Sequence, residues 1–183
     1  MKLIVALCAV MLVFGAQAQK KKKDKEPLKL TNVVIIGQMD DPADRYSVEI
    51  SMSELFGNAG IKSKASLNLI KQGADSQTLA SDSVSTELSG EGFDTYMVIS
   101  VRGYDKRFKT SNTDETLSEA LSRGNLFAIY QEGVVSVSFE YKFFRKGKLV
   151  HSEIIKCGNA GSRQKVMRKL RKKVAKRIDK SWK

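Results

Sequence analysis

The chain has 183 residues, of which 28% are charged and 42% hydrophobic, and a formal net charge of +12. That length supports one domain with a substantial core and is short for two. The charge would point to nucleic acid if it were spread over the fold, but residues 20–29 carry +4, residues 162–183 carry +10 and Lys2 adds +1, which leaves residues 30–161 at −3. The predicted body is mildly acidic, with its basicity confined to a tail and a final helix.

The chain opens with Met1-Lys2, an apolar run from Leu3 to Phe14, and Gly15-Ala16-Gln17-Ala18. This is the layout of a signal peptide cut after Ala18. A run of about 12 residues is also too short to span a bilayer, which takes roughly 20. Cys8 follows Leu7, where a lipid-attachment motif needs a small residue, so a lipoprotein is not expected. The expected location is the periplasm or the exterior. Residues 19–29 (QKKKKDKEPLK) combine a like-charge block with a proline and read as a flexible basic linker. Residues 30–183 are expected to form one α+β domain. Cys157 is then the sole thiol of the mature chain, so no intramolecular disulfide can form.

Asn32 to Ile36, before Gly37, is an apolar run of the kind buried on both faces, and is read as the central first strand. Asp40-Asp41-Pro42 caps a helix that carries Tyr46, Val48, Met52, Leu55, Phe56 and Ala59 and stops at Gly60. Tyr46, Val48, Ile50 and Met52 also alternate as in a strand, but the cap and the stop favour the helix. Ile61 to Leu69 alternates as a strand near an edge. A second helix, capped by Gly73-Ala74-Asp75-Ser76, carries Leu79, Ala80, Val84 and Leu88. Thr95 to Val101 is the next buried strand.

Residues 105–133 are irregular, with one short helix from Thr116 to Arg123; a connection this long often serves a function or faces a partner. Phe127, Ile129 and Tyr130 read as residues that tuck into the body. Val135, Val137, Phe139, Tyr141 and Phe143 alternate with Ser136, Ser138, Glu140 and Lys142, a strand with one buried face. Arg145 to Lys148 is a turn, and Leu149 to Cys157 pairs back as a hairpin. Ser162 caps a last helix whose Val166, Met167, Leu170, Val174, Ile178 and Trp182 share one face while the basic residues take the other. The expected fold class is α+β: a mixed sheet of about five strands in the order β-α-β-α-β, an irregular segment, a hairpin and a basic amphipathic C-terminal helix. Two helices are expected on one side of the sheet, with the basic helix beside them.

No catalytic constellation appears, and no cofactor is expected. His151 has no second histidine with which to share a metal, and Cys157 at the end of an apolar strand reads as a buried inert thiol. Gly37 is followed by Gln38-Met39-Asp40-Asp41, which lacks a glycine-rich phosphate loop and adds negative charge. Asp40, Asp41 and Asp44 are the only clustered acids considered for metal chelation.

The runs VVIIGQMDDPADRYSVEISMSELFGNAGIKSKASLNLI, GFDTYMVISV and VVSVSFEYKFFRKGKLVHSE resemble small bacterial envelope proteins of unknown function. In outline these are related to the amino-terminal domain of TolB and to curli-secretion lipoproteins. The residues that carry the resemblance are Gly60-Ile61, Ala65-Ser66, Gly92-Phe93-Asp94 and Gly147-Lys148-Leu149-Val150. It implies no catalytic residue, and the chain departs from it in lacking the lipid-bearing cysteine and in the basicity of its last helix.

The function expected on these grounds is a non-enzymatic exported binding or envelope-assembly accessory with an envelope protein partner. An uncharacterised periplasmic hydrolase or transferase with a site near residues 105–133 is the first alternative, and a polyanion-binding protein acting through the basic helix is the second. Lys165, Arg168, Lys169, Lys172, Lys173, Lys176 and Lys180 are the candidate contacts to an anionic membrane surface. Export, and the lack of aromatic residues on the polar face, argue against nucleic acid.

Overall fold

A computed structural model describes residues 27–70, 75–105, 107–110, 114–125 and 127–183. The leader at 1–18 and most of the linker lie outside these residues. Five strands form one sheet in the order β2-β1-β3-β4-β5: β1 (Asn32–Gln38), β2 (Lys62–Ala65), β3 (Thr95–Gly103), β4 (Ser136–Arg145) and β5 (Lys148–Gly158). β1 pairs in parallel with β2 and β3, and β4 pairs antiparallel with β3 and β5. Four helices accompany it: α1 (Pro42–Asn58), α2 (Asp82–Gly90), α3 (Leu117–Ser122) and α4 (Arg163–Arg177). The fold is α+β with a mixed five-stranded sheet, as expected.

The two sheet faces have separate cores. Val33, Ile35, Met97, Ile99, Phe139, Tyr141 and Phe143 point to α1 and α4, whereas Val34, Ile36, Tyr96, Val98 and Phe144 point to α2 and α3. The first two helices were expected on one side and stand on opposite sides. Strand order explains this: the chain moves one way from β1 to β2 and back past β1 to β3, and right-handed crossovers in opposite directions put their helices on opposite faces.

α1 begins where Asp41 caps the Ala43 N–H at 2.8 Å with Pro42 in the first turn, and it buries Val48, Met52 and Phe56. Tyr46, expected on the buried stripe, is 60% exposed. Glu49 is instead fully buried, and its carboxylate accepts from the N–H of Gly37 (2.8 Å), the N–H of Leu67 (3.0 Å), the Ser66 hydroxyl (2.7 Å) and Arg45 Nε (3.0 Å). Gly37 sits close to this cluster: a Cβ would lie 3.2 Å from Glu49 Cγ and 3.3 Å from Arg45 Cγ, a tight fit.

Three predicted elements are shorter or divided. The second strand stops at Ala65 and continues as a 3-10 turn, Ser66–Asn68, whose Ser66 and Leu67 are held by Glu49. The second helix splits at Ser81, whose extended backbone and hydroxyl start α2 after a separate 3-10 turn, Ser76–Ala80. Val135 precedes β4 and is 73% exposed.

The polar side of β4 was expected to face water, yet Ser136, Ser138, Glu140 and Lys142 are all buried. Tyr104, Asp105 and Glu115 lie against three of them. The hydroxyls of Ser136 and Ser138 donate to the carbonyls of Tyr104 (3.2 Å) and Asp105 (2.7 Å), and Lys142 Nζ lies 2.5 Å from Glu115 Oε2. α3 starts in a reciprocal capping box between Thr116 and Glu119, and Leu117, Ala120 and Leu121 are buried beneath it. Ile129 is buried against α1, where its N–H donates to Asp44, so the tucked reading of this stretch holds.

Candidate functional site

α4 runs without glycine or proline from the Ser162 cap, whose hydroxyl accepts from the Lys165 N–H at 3.2 Å. Val166, Leu170, Val174, Ile178 and Trp182 are buried. The last turn widens into i→i+5 spacing over Ile178–Trp182, which cuts the angular drift between those two residues and keeps Trp182 pointed at the core.

The cations of α4 divide into two groups. Arginines at the margins of the buried face bind back to the body: Arg163 Nε to Asp44 (2.6 Å), Arg171 to Glu54 (2.7 Å) and Arg177 to Glu153 (2.7 Å). Of the seven predicted contact residues, Lys169 and Lys173 are also engaged. Lys169 Nζ donates to the carbonyls of Gly158 (2.6 Å) and Asn159 (3.2 Å), and Lys173 Nζ to that of Lys156 (2.5 Å). Lys165, Arg168, Lys172, Lys176 and Lys180 are exposed, and none has a carboxylate partner among the described residues. They form one outward stripe, because steps of three, four and seven residues return to the same side of a helix.

The first described residues meet the end of this helix. Leu28 was read as linker, but it is buried, and its N–H donates to the Ser181 carbonyl at 2.8 Å; Leu30 donates to the Trp182 carbonyl at 2.7 Å. Arg145 holds the Leu28 carbonyl at 2.9 Å. The described chain therefore begins beside the end of α4.

A groove of about 500 Å³ lies between α4 and β5, lined by Ile154, Ile155 and five cations: Lys156, Lys173, Lys176, Arg177 and Lys180. A smaller cavity of about 140 Å³ sits where β1 and β3 end, with Gln38, Arg102, Arg123, Glu140 and Lys142 in its walls. Adjacent crossovers diverge there, the usual place for a ligand crevice in such sheets. Here the charges are spent on each other. Lys142 bridges Glu115 and Glu140 (2.5 and 3.8 Å), Arg123 holds Glu115 (3.0 Å), and Gln38 Nε2 donates to the carbonyls of Ala120, Leu121 and Arg123. A further groove of about 590 Å³ between α2, α3 and the hairpin turn mixes Phe93 and Tyr96 with Asp82, Asp94, Lys146 and Lys148.

The residues considered for chemistry are apart from these sites. His151 packs edge-on against Phe143 at 5.7 Å between ring centres and lies 3.8 Å from Glu153. Asp41 is a helix cap, Asp44 holds Arg163, and Asp40 is exposed. Among the described residues no group of three or more His, Cys, Asp or Glu could hold a metal ion, and no helix is long and apolar enough to cross a membrane.

Cys157 is buried in the core under α4. Desolvation pushes its thiol up to about 11, with Lys173 and Lys169 pulling slightly the other way. A rise from 9.0 to about 11 cuts the thiolate fraction about 100-fold at neutral pH. An aromatic disulfide reagent at pH 8 should therefore label native protein at least about 100-fold more slowly than urea-unfolded protein; equal rates would show an accessible thiol. Desolvation also raises Tyr141 well above its ordinary value. Both groups bind their protons more tightly folded than unfolded, so their stabilisation is complete below pH 9 and declines as the pH rises, through about 11 for Cys157 and over a range above the ordinary tyrosine value for Tyr141.

No protein-family model matches the chain, and no curated protein is similar to it. Solved structures to which the chain is similar include the PelC dodecamer from Paraburkholderia phytofirmans, at 10% identity and a TM-score of 0.42, covering 84% of this chain and 89% of that one. The lipoprotein GNA1162 from Neisseria meningitidis is 13% identical with a TM-score of 0.39, over 82% of this chain and 99% of its own. Similarity at this level does not carry a function from one chain to another.

Proposed function

We propose that the protein is a non-enzymatic exported accessory of the bacterial envelope that rests on an anionic surface through α4. The observation that carries this reading is the outward stripe of Lys165, Arg168, Lys172, Lys176 and Lys180, exposed and without carboxylate partners among the described residues. Leu28 and Leu30 pair with Ser181 and Trp182 at the end of the helix, and in sequence the basic run Lys20–Lys25 comes just before them. The leader pattern supplies the compartment in which lipid headgroups are the nearest anionic surface.

Each basic residue held near an anionic membrane adds about 1 kcal/mol, screened within a Debye length. The protein should bind phosphatidylglycerol vesicles and not phosphatidylcholine vesicles, and should release as salt rises. Changing Lys165, Lys172, Lys176 and Lys180 to Gln should weaken binding on the order of 100-fold or more with the fold intact. Lys169 is spared because it closes the end of the sheet. Equal binding to both vesicle types, or indifference to salt, would refute the reading.

A further inference from the structure

β5 is an edge strand, and an edge presents backbone N–H and C=O groups with no ladder partner. Most of this edge is closed. At its start, Leu149 N–H donates to the Glu115 carbonyl at 3.3 Å, and Leu117 N–H donates to the Gly147 carbonyl at 2.9 Å. Register then shifts between Phe143 and Phe144, leaving Val150 without a partner opposite. At the far end, Lys173 and Lys169 cover the outward carbonyls of Lys156 and Gly158. Backbone direction alternates along a strand, so Ile154 turns its N–H and C=O outward as Lys156 and Gly158 do. No described residue outside the sheet hydrogen-bonds to Ile154.

The opening at Ile154 faces the cationic groove. Its walls carry five positive side chains and no carboxylate, and Lys176 and Lys180 have no ion-pair partner among the described residues. We propose that this groove takes an extended acidic segment of a partner protein by strand addition. The segment's backbone would pair with Ile154, and its carboxylates would lie against Lys176 and Lys180. Charge complementarity selects an acidic occupant. The outward amide and carbonyl of one residue select a polypeptide over a lipid or an acidic glycan, because only a backbone offers both a donor and an acceptor at strand spacing. Lys176 and Lys180 are shared with the surface contact proposed above, but Ile154 is not, so the two proposals can fail separately.

The test is fluorescence anisotropy with a labelled peptide of alternating Glu and Val, beside the same peptide N-methylated throughout, which keeps the charge and removes every backbone donor. The first peptide should bind, with at least tenfold loss on N-methylation, on Ile154→Pro and on Lys176→Gln with Lys180→Gln. Ile154→Pro removes only an outward N–H, a position where an edge strand tolerates proline, and it should leave vesicle binding unchanged. Protection of the Ile154 amide from hydrogen exchange on peptide addition gives a readout that needs no variant. Equal binding of the N-methylated peptide, an unprotected Ile154 amide, or no binding of the first peptide would overturn the proposal.

Discussion

Trp182→Ala is expected to lower the unfolding free energy by about 3–5 kcal/mol, a large part of the roughly 5–15 kcal/mol that holds a protein of this size folded. Trp182 is fully buried. Its ring lies 6.1 Å from Phe56, 5.4 Å from Tyr141 and 5.0 Å from Phe143, measured between ring centres. It thereby ties α1, β4 and the end of α4 into one aromatic cluster. Its indole N–H donates to Glu153 at 3.2 Å, and its carbonyl accepts from Leu30. Truncation would leave a cavity at the point where the two ends of the described chain meet. Urea unfolding should show a lower midpoint, while Lys180→Ala two residues earlier should change stability by no more than about 0.5 kcal/mol. A loss below about 1 kcal/mol for Trp182→Ala would show that the cluster is not a keystone of the fold.

Period and caps made most of the architecture readable. The alternation from Val137 to Phe143 named one face of β4 and its core residues, and Asp41-Pro42 decided helix over strand for Tyr46 to Met52. What stayed hidden depends on contacts between distant segments. The second face of β4 looked solvent-facing because its residues are Ser, Glu and Lys; it is buried because carbonyls of 104–105 and the Glu115 carboxylate satisfy those groups. Hydropathy cannot distinguish a polar residue in water from one satisfied by a loop 30 residues away. The candidate stripe was legible as charge on one helical face, but not which cations stay free. Arg163, Arg171 and Arg177 find acids on α1 and β5, and Lys169 and Lys173 find carbonyls of β5. That choice follows from how α4 sits on the sheet, which no helical wheel contains.

Glu49→Leu should be about as damaging as the tryptophan truncation, about 3–5 kcal/mol, although leucine suits a buried site and fills similar space. Nothing in the spacing of α1 marks Glu49, which lies one position past Val48 and would pass for a solvent residue. Its carboxylate is where the end of β1, α1 and the turn after β2 converge, with donors from Gly37, Ser66, Leu67 and Arg45 all within 3.0 Å. Replacing it with leucine strands the buried N–H of Gly37 and the part-buried N–H of Leu67 and leaves the Arg45 guanidinium, only 15% exposed at its side chain, without its carboxylate. Each buried donor left unmade costs about 1–3 kcal/mol, and an uncompensated buried charge more. Glu49→Gln keeps one accepting oxygen for Gly37, Ser66 and Arg45 but turns an amide N–H₂ toward the Leu67 N–H, so its loss should be intermediate, about 1–3 kcal/mol. The order of the two variants in urea unfolding is the deciding measurement. If leucine is tolerated as well as glutamine, desolvating the carboxylate costs as much as its hydrogen bonds return, and the junction is held by packing alone.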